Sequence, residues 1–121
     1  MARRPVNHLP AYHAHIYFGP ETADRAEALA AQAGALFGVA LGRVHRQPVG
    51  PHPQWSCQLA FDSAQFDALV PWLDANRGGL DILVHGLSGD DLADHTEHAR
   101  WLGNEWPLSL AMFRRKGPAG I

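Results

Sequence analysis

The chain has 121 residues, 46% hydrophobic content and a formal net charge of −2 with its eight histidines neutral. That is enough for one compact core but not two, and too little positive charge for a broad nucleic-acid-binding surface. A single cysteine, Cys57, excludes an intrachain disulfide and a cysteine-rich zinc knuckle. No apolar run approaches the roughly 20 residues that span a bilayer, and none follows Met1-Ala2-Arg3-Arg4-Pro5. The expectation is a soluble cytoplasmic protein.

Residues 1–10 carry two prolines and little periodicity, and read as an arm. Tyr12-His13-Ala14-His15-Ile16-Tyr17-Phe18 then reads as a strand, closed by Gly19-Pro20. Alternation puts Ala14, Ile16 and Phe18 on one face and His13, His15 and Tyr17 on the other. A His-x-His pair can aim two imidazoles at one metal, because alternate strand residues stand roughly 6.6–7 Å apart. Hydrogen-bonded, half-buried histidines are the plainer alternative.

Residues 21–37 carry a helical stripe of Ala26, Leu29, Ala30, Ala33, Leu36 and Phe37, with Gly38 as its stop. Val39 to Arg46 alternates weakly as a second strand, with Val39, Leu41 and Arg43 on one side. Gln47 to Pro53 is a proline-rich loop in which His52 sits between Pro51 and Pro53 and is held extended. There it can aim at a ligand, or simply stack on Trp55. Gln54 to Phe61 alternates cleanly, with Trp55, Cys57, Leu59 and Phe61 opposed to Gln54, Ser56 and Gln58.

Asp62 or Ser63 caps a second helix bearing Phe66, Leu69, Val70 and Leu73, which Pro71 should kink. Leu80 to His85 is a fourth strand, with Asp81, Leu83 and His85 on its outer side. Asp91 to Gly103 has the spacing of a third helix that turns His95 toward the body, with His98 on a neighbouring stripe. Leu108 to Phe113 alternates as an added strand, and residues 114–121, opening with Arg114-Arg115-Lys116, read as a tail.

The order is β-α-β-β-α-β plus a C-terminal helix and strand. It is the split βαβ arrangement of α+β, ferredoxin-like folds, an antiparallel sheet with helices on one face. His13, His15, Tyr17, Ser56, Gln58 and His85 fall together on the open face. Something must cover that face, either a second copy in a homodimer or the C-terminal strand.

Several of these stretches resemble the DOPA 4,5-dioxygenase family of small fungal and bacterial enzymes. They are Tyr12–Phe18, Gly50-Pro51-His52-Pro53, Asn76-Arg77, Leu83-Val84-His85 with Ser88-Gly89-Asp90, and Asp94-His95-Thr96 through Trp101-Leu102-Gly103. The match runs from about residue 11 to residue 113, the extent expected for a single domain. It implies extradiol cleavage of a catechol such as L-DOPA by dioxygen at a non-haem iron(II) centre. The family's histidine motifs fall on His15, His52, His85 and His95, with His13 and His98 in flanking positions. His15, His52 and His85 are the expected metal ligands. His95 is a further ligand, a buried histidine satisfied by a carbonyl or, as expected here, the catalytic proton-transfer residue. His13 is expected to assist catalysis, and Tyr17 and His98 to contact substrate. Gly86 stands where relatives usually place proline, which loosens the turn behind His85.

Neutral imidazole suits iron(II), and zinc or nickel can occupy the same donors in a purified preparation. The usual carboxylate of such iron sites would come from Asp81, Asp90, Asp94 or Glu97, or the site is all histidine. Two other functions fit the same residues: a dimeric ferredoxin-like module that binds a metal or aromatic metabolite without turnover, and a non-oxidative metal enzyme.

Overall fold

The computed structural model of the chain describes residues 3–116. Met1 and Ala2 of the expected arm, residues 117–121 of the expected tail, and the side chains of Arg114-Arg115-Lys116 lie outside the described residues. The α+β class expected from the sequence holds. Five strands form one antiparallel sheet: β1 (Ala11–Phe18), β2 (Ala40–His45), β3 (Trp55–Asp62), β4 (Ile82–Gly86) and β5 (Ala99–Leu102). Their order is β2-β3-β1-β4-β5, so β1 sits at the centre with β3 and β4 antiparallel on either side.

Helices α1 (Ala23–Phe37) and α2 (Ser63–Asn76) cover one face. Ala14, Ile16, Phe18, Cys57, Leu59, Phe61, Ile82 and Val84 from the strands meet Ala26, Leu29, Ala33, Phe66, Leu69 and Leu73 from the helices. Burying a leucine, isoleucine or phenylalanine contributes about 1.5–3 kcal/mol, so this layer carries most of the stability. Gly38 ends α1 in the left-handed conformation (φ 68°), its N–H reaching the Gly34 carbonyl. Asp62 and Gln65 cap α2 reciprocally. Pro71 does not break that helix. It lies on the exposed side, where water can satisfy the i−4 carbonyl that a proline leaves without an N–H partner. Leu36, expected on the buried stripe, is instead 63% exposed.

The C-terminal third departs from the expectation. The thirteen-residue helix is only α3, Asp91–Asp94, followed by a turn and β5. Asp90 caps its start, and the Thr96 hydroxyl bonds back to the Leu92 carbonyl at its end. Pairing with β4 claims Ala99–Leu102, and Trp101 N–H also bonds the Arg3 carbonyl of the arm. Tertiary ladder bonds override local helical spacing here. The expected strand at 108–113 is irregular up to Leu110 and then becomes α4 (Ala111–Lys116). No helix among the described residues is long and apolar enough to cross a membrane.

The arm is pinned rather than loose. The Tyr12 hydroxyl accepts from the N–H groups of His8 and Leu9, and Leu9 packs against the core. This explains Gly86: a Cβ there would run into the Leu9 side chain. The glycine makes room for the arm.

Candidate metal centre

Because paired strand residues share a face, the register assembles the site. His13 lies opposite His85, His15 lies between Gln58 and Leu83, and Tyr17 lies opposite Ser56. All point away from the helices. The face is closed from below by a second apolar cluster of Tyr17, Leu83, Ala99 and Trp101, on which Trp106 and Leu108 pack. The C-terminal segment thus covers the open face as an irregular strap. Asp81 clamps that strap by accepting from the Asn104 N–H and the Trp106 indole, and Ser109 N–H bonds the Pro51 carbonyl.

Three histidines converge. His13, His15 and His85 each present a ring nitrogen within 4.8 Å of the others. His15 Nε2 and His85 Nε2 are 3.0 Å apart. Two ligands about 2.1 Å from one ion and at right angles to each other would be about 3 Å apart. His85 Nδ1 is 3.0 Å from the Gly86 carbonyl and donates to it, which leaves the Nε2 lone pair facing the cluster. His15 and His85 are buried and His13 is half-buried.

Their electrostatics suit a cation. Burial pushes His85 down to about 3, against the pull of the Gly86 carbonyl. Burial first, and neighbouring histidines second, hold His15 well below the usual range. His13 is lowered by burial and by His95, with Asp94 opposing. At neutral pH these rings are therefore uncharged, and no proton competes for their lone pairs.

Two more histidines flank the three. His52 is buried, its ring centroid 4.1 Å from that of His15, and burial pushes it down to about 4. Its Nδ1 lies 2.9 Å from the Tyr17 hydroxyl. Trp55 does not receive it; that indole packs edge-on to Phe18. His95 lies 4.4 Å from His85 between ring centroids and stacks on Phe113 at 4.6 Å. Its Nδ1 donates to the Asp91 carbonyl at 2.8 Å, so in the neutral ring Nε2 is the acceptor. The helix expected around His95 is wrong, yet the ring reaches the site because the turn after α3 carries it there.

The structure thus brings His13, His15, Tyr17, His52, His85 and His95 together. It leaves His98 aside, its Nδ1 3.3 Å from His8 Nε2. Three of the four carboxylates weighed from the sequence are engaged elsewhere: Asp81 on the strap, Asp94 on Ser88, and Asp90 on the Ala93 N–H. Glu97 is exposed on the rim of a cavity of about 430 Å³ beside His95, Trp101 and Trp106. Among the described residues the metal-spaced group is all histidine.

A second cavity, of about 370 Å³, opens on His15 and His52 and includes Arg43, His45, Ser56 and Gln58. Sequence spacing put Arg43 on the side of Leu41. From Leu41 to Val44, β2 advances three residues while β3 advances two, from Leu59 to Cys57. The extra residue is a bulge, and it displaces Arg43 from the Leu41 side to the histidine face. Gly42, inside the strand and against the Gln58 side chain, was the available signal.

The profile of the Dopa 4,5-dioxygenase family matches residues 12–112. The DOPA 4,5-dioxygenase of Amanita muscaria is 38% identical over 109 residues, covering 83% of this chain and 48% of that protein. An uncharacterized 21.2 kDa protein of Botryotinia fuckeliana is 40% identical over 60% of this chain and 44% of its own length. The chain therefore spans about half the length of these curated relatives. A crystal structure from Nostoc punctiforme, provisionally described as a dioxygenase, superposes with a TM-score of 0.87 at 43% identity. That match covers 90% of this chain and 95% of the other.

Proposed function

Since this chain belongs to the Dopa 4,5-dioxygenase family, we propose that it is a non-haem iron(II) extradiol dioxygenase opening the ring of a catechol such as L-DOPA. The observation that carries the proposal is the convergence of His13, His15 and His85, with two Nε2 atoms 3.0 Å apart. These three would hold the ion, leaving positions unfilled by protein. Iron(II) bound there supplies the Lewis-acid and redox chemistry that lets a catechol react with dioxygen.

The remaining residues orient groups and move protons. His95 has a free Nε2 beside His85 and serves as the base for a catechol hydroxyl. The Tyr17 hydroxyl fixes the ring angle of His52 next to His15. Phe113 and Trp106 keep bulk water from the strap side. The strand order β2-β3-β1-β4, with α1 and α2 on one face, supports the ferredoxin-like reading of the fold. A homodimer belongs to the same proposal, with the free edge β2 and its exposed Leu41 and Val44 as the surface it would use. Light scattering measures that state.

The test is anaerobic protein loaded with iron(II), given L-DOPA and then air. Oxygen uptake with a yellow ring-opened product, absent with zinc, is expected. Equal activity with zinc, or tight catechol binding without oxygen uptake, would contradict it.

A further inference from the structure

We propose that the cavity beside His15 and His52 receives an acidic substrate tail, with Arg43 pairing to its carboxylate, so that the preferred substrates are catechols bearing a carboxylate and needing no amine. This rests on the ring-cleaving reading above and specifies its substrate class.

Three observations carry it. First, the cavity of about 370 Å³ is of ligand size and shares His15 and His52 with the metal centre, so a molecule held at the ion extends into it. Second, its lining contains Arg43 and His45 but no aspartate or glutamate, so an ammonium group would find no counter-charge there. Third, a one-residue bulge turns Arg43 onto this face, and no carboxylate pairs with it among the described residues. Bulges re-aim side chains in this way beside active sites. A guanidinium presents a planar fork of donors that fits a carboxylate through two bonds. The cavity on the other side of the histidines differs, since it mixes Arg3 with Glu97 and Glu105.

The experiment compares three catechols on the iron-loaded protein: 3,4-dihydroxyphenylpropionate, 4-methylcatechol and dopamine. KM is measured in air, and Kd by calorimetry without oxygen. The acid is expected to bind at least about tenfold more tightly than 4-methylcatechol, and dopamine no better than 4-methylcatechol. In Arg43→Gln the ratio between acid and methylcatechol should fall toward one, and in Arg43→Lys it should recover in part. Thermal melts of both variants show that the fold is kept. Equal affinity for all three, a preference for dopamine, or an unchanged ratio in Arg43→Gln would overturn the proposal. If none of the three is turned over, the ring-cleaving reading fails, and the anaerobic Kd ratios still decide the role of Arg43.

Discussion

The two faces of this sheet are built from the same strands and do opposite work. The helix side packs Ile16, Leu59 and Ile82 at full burial, where each apolar side chain adds stability. The other side buries His15 and His85 almost as deeply, where desolvation of any charged form opposes folding. One residue of alternation separates the two roles in β1. A buried polar cluster maintained at that cost is better explained by a ligand than by stability.

The largest effect should come from His15→Ala or His85→Ala. Either should lower ring-cleaving turnover by at least about a hundredfold and abolish iron retention, while the melting temperature of the metal-free chain holds or rises. Oxygen uptake, metal analysis and calorimetry check this. The mirror substitution on the helix side, Ile16→Ala, should cost about 2–5 kcal/mol in urea unfolding with metal affinity otherwise intact. If the histidine variants were the destabilised ones, the contrast between the faces would collapse.

The metal-free chain should also weaken in acid. An unfolded histidine takes up a proton near 6.5, whereas folded His52 resists to about 4 and folded His85 to about 3. Their full contribution is therefore present above pH 6.5 and is lost as pH falls toward 4 and below. Each such histidine adds a slope of about 1.4 kcal/mol per pH unit within that window. Unfolding curves at pH 7, 6 and 5 measure it, and a flat profile would contradict the neutral buried cluster.

Gly86→Ala drives a Cβ into Leu9 and should cost about 1–3 kcal/mol, with the arm more open to proteolysis. The smallest effect belongs to Tyr17→Phe, which removes the partner of His52 Nδ1 and should cost about 1 kcal/mol. Its turnover should fall less than that of His15→Ala.

What could be read from the chain follows the same divide. Strict alternation in β1 and β3 placed His13, His15, Tyr17, Ser56 and Gln58 correctly, because a period of two leaves no freedom once one face is buried. The His85 face followed from β4 in the same way. The region after Asp90 was not legible. Ala99–Leu102 joins the sheet through bonds to β4 and to Arg3 of the arm, partners far away in sequence that periodicity does not reveal. His98 was misplaced for that reason. Arg43 was hidden by a bulge, since one extra residue reverses a parity argument. Gly86 looked like a loosened turn and is a seat for Leu9.

The central claim is that imidazoles from β1 and β4 grip one ion. X-ray absorption at the iron edge of the anaerobic iron(II) protein tests it most directly. The account predicts imidazole scattering from three nitrogens at about 2.1 Å, lost in His15→Ala and His85→Ala and kept in His8→Ala. A first shell of oxygen alone, or one unchanged in both site variants, would contradict it.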